Sequence, residues 1–496
     1  MSLLLGIDVG SSSVKASLLD AGTGACAGTA FHPETELRID VPQPGFAEQD
    51  PRSWYACARD AVRDAMREAG ARPEDVVAIG IAYQMHGLVC IDVDQEVLRP
   101  AILWCDSRAV PLGKAAFDAL GAELCLGRSM NSPGNFTASK LAWVKEHEPD
   151  LFARIDKILL PGDWLAMKLT GEACTTIPGL SECVFWDFRD EEPAGFLLEH
   201  FGFDAGMLPR VVPTFGIQGL LTPATAEDFG LRVGTPVSYR AGDQPNNALS
   251  LRVLDPGAIA ATAGTSGVVY GVTREKKQDP LSRVNTFAHV NHTASEPRLG
   301  VLLCINGTGS QNSWIRRMLG DVSYAEMDLL ASQVPIGSEG LTVLPFGNGA
   351  ERVLENRNVG AQMSGVEFGR HGRAEVCRAV QEGIVFALMY GMEVMAEAGI
   401  GTSTIRAGFA NMFRSDVFCE TLAGVSGSTI ELFDTDGSLG AARGAGIGAG
   451  IYASFDQAFE SLERRKVVEP GPGNHAEAYA RWKSHLESLI TLRDRG

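Results

Sequence analysis

One local pattern occurs twice in this chain and restricts its architecture more than any compositional figure does. In Leu3-Leu4-Leu5-Gly6-Ile7-Asp8-Val9-Gly10-Ser11-Ser12-Ser13-Val14-Lys15 an apolar run ends in one acid and turns through small residues. It resumes as an alternating strand at Val14, Ala16 and Leu18. Such a strand–turn–strand presents the backbone N–H groups of Gly10, Ser11, Ser12 and Ser13 to an anion as a nest. Asp8 stands at its mouth, where a carboxylate repels phosphate unless a divalent cation lies between them. The pattern therefore reads as a site for Mg²⁺ and a nucleotide phosphate. It is not a P-loop, because no G-x-x-x-x-G-K-[ST] run leads into a helix here. Taken alone, this copy is also compatible with an ordinary tight hairpin. The second copy, Ala258-Ile259-Ala260-Ala261-Thr262-Ala263-Gly264-Thr265-Ser266-Gly267-Val268-Val269-Tyr270, tells against that reading. Two such turns about half a chain apart are what two related domains with one phosphate loop each would offer.

Length agrees with that division: 496 residues exceed one hydrophobic core and suggest two domains of about 200 to 250 residues. Hydrophobic residues at 45% and charged residues at 21% are those of a globular protein. A formal charge of −18 tells against nucleic acid or an anionic membrane as partner. ATP is not excluded, because Mg²⁺ and backbone amides handle phosphate locally. The opening residues lack a secretory pattern, and no run of about 18 uncharged apolar residues is found. Ten cysteines without C-x-x-C spacing read as reduced, mostly buried thiols, and cytoplasm is the expected compartment.

Residues 3–32 are expected to form three strands, with turns at Gly10–Ser13 and Ala21–Gly24. Trp54, Ala58, Ala61, Val62 and Ala65 share one face of a helix over 51–69, and Val76–Tyr83 and Leu88–Val93 read as buried strands. Helices are expected over 135–148, from Pro161 with Asp163 near its positive end, and over 374–399, 436–453 and 476–492. The inter-domain joint falls between Asp243 and Gly257, where Pro245 and Asp255-Pro256-Gly257 punctuate the chain. The expected domains are 1–246 and 247–454, with a helical tail over 455–496.

Gly444-Ala445-Gly446-Ile447-Gly448-Ala449 matches G-x-G-x-x-A, yet it lies inside a helical small-residue run with no strand ahead of it. Close helix packing is the better account. His289 and His292 suggest a metal only weakly and read as solvent groups of a polar loop. Arg240-Ala241-Gly242-Asp243-Gln244-Pro245 puts one carboxylate at the end of an apolar stretch. Asp243 is either a base that takes a proton from an alcohol attacking a γ-phosphate or a cap on the following helix; spacing does not separate the two.

Paired phosphate loops resemble those of the actin, hexokinase and chaperone ATPases, which implies an α/β fold of two ribonuclease H-like domains with a nucleotide and sugar cleft between them. More specifically, about 450 residues resemble the FGGY family of carbohydrate kinases and, within it, the xylulokinases. Gly6–Lys15 is similar to the family's first phosphate loop and Gly264-Thr265-Ser266-Gly267 to its second. Gly242-Asp243-Gln244 resembles the catalytic G-D-[NQ] element, which makes Asp243 the implied base and Gln244 an implied sugar contact. Leu159 to Leu165 with Leu169-Thr170-Gly171 is similar to a family signature, as is Leu344-Pro345-Phe346 with Gly349-Ala350-Glu351-Arg352.

The resemblance implies further roles. Gln84, Met85 and His86, in Gln-Met-His-Gly, become sugar contacts, as do Trp104, Asp106 and Arg108 in Trp-Cys-Asp-Ser-Arg. There Trp104 would stack on the sugar and Asp106 accept from its hydroxyls. Cys105 replaces the usual Asn, and a thiol is a weak donor, so a polar contact is missing. Gly10, Ser11, Ser12, Ser13, Lys15, Gly264, Thr265, Ser266, Gly309, Gly408, Asn411 and Met412 would meet the nucleotide, and Asp8 with Asp243 would hold the metal. Ala410-Asn411-Met412-Phe413 replaces the family's glycine-rich adenosine loop, so Met412 or Phe413 is expected to pack on the base.

The implied activity is transfer of the γ-phosphate of ATP, with Mg²⁺, to a ketose, D-xylulose at its 5-hydroxyl. Gluconate, ribulose or glycerol are the alternatives within the family, glycerol weakened because Met85-His86 stands where those enzymes resemble Arg-Glu. An actin- or chaperone-like ATP switch is the alternative of another class. ATP and a small sugar are the expected partners, and a homodimer is compatible with the sequence.

Overall fold

A computed structural model describes residues 1–401 and 403–494, and its chain divides into two compact units. The first comprises Met1–Leu254, Phe287–Leu299 and Thr435–Leu462; the second comprises Asp255–Thr286, Gly300–Asp434 and Glu463–Gly496. The linear division expected at 246/247 and 454/455 differs from this. The Gly437–Gly448 helix packs on the first unit's sheet, and the Arg464–Val468 strand belongs to the second unit's sheet, so neither unit is one continuous segment.

The first unit is built on a six-stranded sheet in the order Phe215–Leu220, Pro236–Gly242, Val76–Tyr83, Leu3–Val9, Val14–Asp20, Cys26–His32. Leu3–Val9 runs antiparallel to Val14–Asp20 and parallel to Val76–Tyr83, which is parallel to Pro236–Gly242. Parallel central strands must be covered on both faces, which explains why Leu3, Leu5, Ile7, Ile79 and Ile81 are fully buried. One cover is the Pro51–Ala69 helix. Asp50 caps it by accepting from the Arg52 amide, Pro51 opens it, and Gly70 ends it at φ 59°.

The other cover is the Gly437–Gly448 helix, and glycine on both sides brings it close. A Cβ on Gly6 would lie 1.8 Å from the Ser438 carbonyl oxygen, and one on Gly80 would lie 2.0 Å from that of Ala441. Gly448 lies against Ser238 and Gly444 against the ring of Tyr239 in the same way. The glycine run is thus a packing surface, as expected. The helix stops before the expected 453 because Gly450 turns left-handed at φ 71°. The strand expected over Leu88–Val93 is shorter, at Val89–Ile91.

The second unit repeats the plan. Ala258–Ala263 pairs antiparallel with Gly267–Thr273 and parallel with Thr404–Gly408, which is parallel to Thr429–Phe433. An antiparallel pair at the start, continued by parallel strands, occurs once in each unit and is the ribonuclease H-like pattern the resemblance implied. The Arg373–Glu397 helix is long and apolar enough by composition to cross a membrane, but 78% of its apolar window is buried, and it is the core helix of this unit. The terminal helix His475–Asp494 buries Trp482 there, with its indole donating to the Val343 carbonyl at 2.8 Å.

Candidate active site

The turn between the first two strands is closed by the Gly10 amide donating to the Ser13 carbonyl at 3.0 Å. None of Gly10 to Ser13 is left-handed, so the turn lacks the alternating handedness of a nest, and Gly10 spends its amide internally. The amides of Ser11 and Ser12 are outside the backbone hydrogen bonds among the described residues. Gln49 donates to the Ser11 carbonyl at 2.7 Å and Leu37 to that of Ser12 at 2.7 Å, which pins the loop. Gln49 in turn accepts from the Trp54 indole at 2.9 Å.

Lys15, expected at phosphate, forms an ion pair with Asp436 at 2.6 Å. The other oxygen of Asp436 accepts from the Leu439 amide at 3.0 Å and caps the Gly437–Gly448 helix. Burial pushes the Asp436 carboxyl up, but Lys15, Ser438 and the Leu439 amide together bring it below the usual range. Asp8 lies so close to Gly437 that a Cβ there would be 2.2 Å from its Oδ2. Burial, then the charges of Asp243 and Asp436, raise the Asp8 carboxyl to about 7 against the pull of Lys15.

Asp243 is the first residue of the Asp243–Ser250 helix, and Gly242, not Asp243, is its N-cap. Burial raises Asp243 to about 6, with Gln244 and local amides opposing. A group in that range accepts a proton near neutrality and releases it again, as a general base must. Like-charged carboxylates held within electrostatic reach of one another favour a divalent cation, and their oxygens are the hard donors Mg²⁺ takes. Among the described residues no three His, Cys, Asp or Glu side chains are grouped to hold a metal by themselves. One or two carboxylates plus phosphate oxygens is the usual arrangement for Mg²⁺.

Gln84 to Gly87 leaves the end of the Val76–Tyr83 strand, one strand away from Gly242. A Cβ on Gly242 would lie 2.7 Å from Cγ of Met85 and 2.8 Å from Oε2 of Glu182, so both side chains reach the backbone just ahead of Asp243. His86 is held left-handed at φ 61°. Its Nδ1 lies 2.9 Å from the Glu182 carbonyl, and Lys140 Nζ donates to its own carbonyl at 2.7 Å. Because the Glu182 carbonyl only accepts, Nδ1 carries the proton in this contact. Phe136 packs edge-on to the ring at 4.8 Å.

Two residues of this region escaped sequence reasoning. Lys140 is fully buried on the Thr137–His147 helix, and desolvation lowers it to about 8 although Asp106 favours its charge. Glu182 ends the Ile177–Glu182 helix and is 1% exposed. Desolvation pushes its carboxyl well above the usual range, with the Tyr83 hydroxyl opposing and Asp243 adding to the rise. The only signal for either was a charge inside an otherwise apolar or small-residue stretch.

Asp106 and Arg108 depart from expectation. Asp106 is fully buried and accepts from the Ala47 amide at 2.6 Å, the Arg108 amide at 2.9 Å and the Arg108 guanidinium. Arg108 stacks over Phe46 at 3.7 Å and also pairs with Glu48 at 2.7 Å. Both are consumed in a structural knot that leaves no acceptor for sugar hydroxyls. Trp104, at 47% exposure, keeps an open aromatic face. His289 and His292 are buried and not solvent groups. Each ring bonds a carbonyl, of Val253 at 3.0 Å and of Arg298 at 3.2 Å respectively.

In the second unit the Gly264-Thr265-Ser266 turn is tied to the start of the Gly309–Met318 helix. The Gly309 amide donates to the Gly264 carbonyl at 2.9 Å and Ser310 to that of Thr265 at 3.1 Å, so the Gly309 amide is spent on the loop. Gly309 is required there, since a Cβ would lie 2.2 Å from the Gly264 oxygen. Asn411, exposed and left-handed at φ 51°, lies near Gly264, and Gly408 ends the Thr404–Gly408 strand. Met412 and Phe413 are buried in the core, where Met412 Sδ accepts from Asn312 at 3.2 Å and Phe413 packs edge-on to Phe418. Packing on a base therefore falls to neither. The aromatic that this loop exposes is Phe409, at 41%.

Comparison with known proteins fits this geometry. Residues 3–250 match the model of the FGGY family of carbohydrate kinases, N-terminal domain, and residues 259–449 that of its C-terminal domain. The chain is 31% identical to the xylulose kinase of Escherichia coli strain K12, over 99% of this chain and 98% of the other. It is also 31% identical to the L-xylulose/3-keto-L-gulonate kinase of that strain, over 92% and 90%. The crystal structure of xylulose kinase from Rhodospirillum rubrum is similar at a TM-score of 0.85 and 25% identity, covering 99% of this chain and 98% of the other. With both domain models matched in order across most of its length, the chain belongs to the FGGY family of carbohydrate kinases.

Proposed function

We propose that this sugar kinase transfers the γ-phosphate of ATP to the 5-hydroxyl of D-xylulose, with Asp243 as the base. The observation that carries the reading is Asp243 itself: a half-buried carboxyl that desolvation raises to about 6, next to a glycine that Met85 and Glu182 both approach. His86 meets the sugar, Met85 packs on its carbon chain, and Gln84, Gln244 and Trp104 complete the contacts. The amides of Ser11 and Ser12 and the Gly264–Ser266 loop meet phosphate oxygens. Phe409 stacks on adenine, with Asn411 beside it.

Asp8 and Asp243 would hold Mg²⁺, which when bound with ATP supplies charge neutralisation at the transferring phosphoryl group. Asp243 receives the proton of the attacking hydroxyl, and Lys15 keeps Asp436 ionised and the Gly437–Gly448 helix seated beside Asp8. Most of the chemistry is positioning and electrostatics, as phosphoryl transfer requires. The enzyme is placed in the cytoplasm, and a homodimer is compatible with the reading.

Another ketose is the second reading, favoured by the equal identity to the L-xylulose/3-keto-L-gulonate kinase. ADP release measured with D-xylulose, L-xylulose, D-ribulose, gluconate and glycerol tests both. The highest kcat/KM with D-xylulose is expected; higher values with any other acceptor overturn the proposal.

A further inference from the structure

Glu182 is a buried carboxyl that the folded chain leaves short of hydrogen bonds. Both of its oxygens are buried, and neither has a partner in full hydrogen-bonding geometry among the described residues; the Tyr83 hydroxyl is the largest influence favouring its charged form, yet desolvation outweighs it. The same holds for both amide atoms of Gln84, on the segment that carries Met85 and His86. A buried polar group left unsatisfied is costly, so several in one region call for a ligand that supplies hydroxyls.

The position of Glu182 narrows which part of a ligand it meets. Its Oε2 and the Met85 side chain converge on Gly242, and its backbone carbonyl sets the ring of His86. Its carboxyl is within the electrostatic reach of Asp243. It therefore lies at the reacting end of the acceptor, on the sugar side.

We propose that Glu182 is a substrate-binding residue whose carboxyl hydrogen-bonds the hydroxyl next to the one phosphorylated, selecting acceptors with hydroxyls on adjacent carbons at the reacting end. The inference rests on the reading of Asp243 as the base. A carboxyl suits this task because it can accept from one hydroxyl and, when protonated, donate to it as well. An amide in its place preserves volume and one donor–acceptor pair, while alanine removes both. A site built to bond a hydroxyl rejects the analogue that lacks it far more strongly than an apolar pocket rejects a missing methylene.

The experiment compares D-xylulose with its 4-deoxy analogue in the unaltered enzyme, Glu182→Gln and Glu182→Ala, with ATP KM and melting temperature measured alongside. The unaltered enzyme should prefer D-xylulose by more than about 100-fold in kcat/KM. In Glu182→Ala the preference should fall to within about tenfold, with KM for ATP unchanged; Glu182→Gln should retain most of it. A preference that survives intact in a folded Glu182→Ala overturns the proposal, as does an equal rise in KM for ATP and sugar. If Glu182→Ala does not fold, Glu182→Asp carries the test: withdrawing the carboxyl by one methylene should raise sugar KM about tenfold, and no rise overturns the proposal. Should the unaltered enzyme turn over no D-xylulose, the ketose assignment fails on its own. Glu182 is then judged on the acceptor that is used and its own adjacent deoxy analogue.

Discussion

Asp243 sits where helix geometry and burial work against each other. Its place in the first helical turn favours the charged form, burial opposes it, and burial dominates. Asp243→Asn, nearly isosteric, should lower kcat by roughly 10² to 10⁴-fold with little change in melting temperature. Retention of turnover within a few-fold would remove Asp243 as the base. Because a base must be ionised to accept a proton, kcat/KM should rise with pH through a limb near 6. An acidic limb unmoved from that of an ordinary carboxylate would contradict the burial argument. On the nucleotide side, Phe409→Ala should raise KM for ATP by about tenfold, the lower range for losing one base–aromatic stack. Since stacking is indifferent to base edges, GTP and ITP should suffer alike; an effect confined to ATP would mean Phe409 does not face the base. Met85 and His86 could be marked as candidate sugar contacts because the resemblance lies in one short segment, Gln84 to Gly87. Glu182 and Lys140 could not, because they reach His86 across 96 and 54 residues of chain.

At the scale of elements, the first three strands and the Pro51–Ala69 helix followed from alternation, helical period and caps in consecutive residues. The function of the Gly437–Gly448 helix needed its partners as well. Small residues announce close packing, but only the sheet reveals that Gly6 and Gly80 are the strand glycines it rests on. Gly6→Ala forces a Cβ to within 1.8 Å of the Ser438 oxygen and 2.7 Å of the Ala442 amide nitrogen, both backbone atoms that cannot swing aside. The overpacking should destabilise the chain by about 1–3 kcal/mol or more, read as a lower urea midpoint. It should also disturb Asp436 and its ion pair with Lys15, since Ser438 bonds Asp436 at 2.7 Å. A variant with unchanged midpoint would show that the helix does not need contact that close.

For the molecule as a whole, the raised carboxyls of Asp8 and Asp243 make stability depend on pH. Asp8 and Asp243 are raised to about 7 and about 6, so in the folded chain they keep protons that an unfolded chain releases near pH 4. Their contribution to stability is therefore complete below about pH 4 and is lost as pH rises through about 7. With Mg²⁺ chelated, melting temperature measured from pH 4 to 8 should fall more steeply in the unaltered protein than in Asp8→Asn, which has no proton to lose. Parallel curves would place the Asp8 carboxyl in an ordinary environment. Adding Mg²⁺ with ATP should restore stability above pH 7 in the unaltered protein and less in Asp8→Asn.

The sequence by itself determined the elements, the duplicated strand–turn–strand, the packing use of the glycine run and the place of Asp243 ahead of a helix, because each is written in neighbouring residues. Tertiary structure alone decided that Asp106 is spent on the Ala47 amide and Arg108 on Glu48, that Met412 and Phe413 turn into the core, and that Lys15 meets Asp436 across 421 residues. The physical reason is the same in each case. Whether a polar or aromatic side chain is available to a ligand depends on which distant groups have already satisfied or buried it, and sequence spacing carries no record of that.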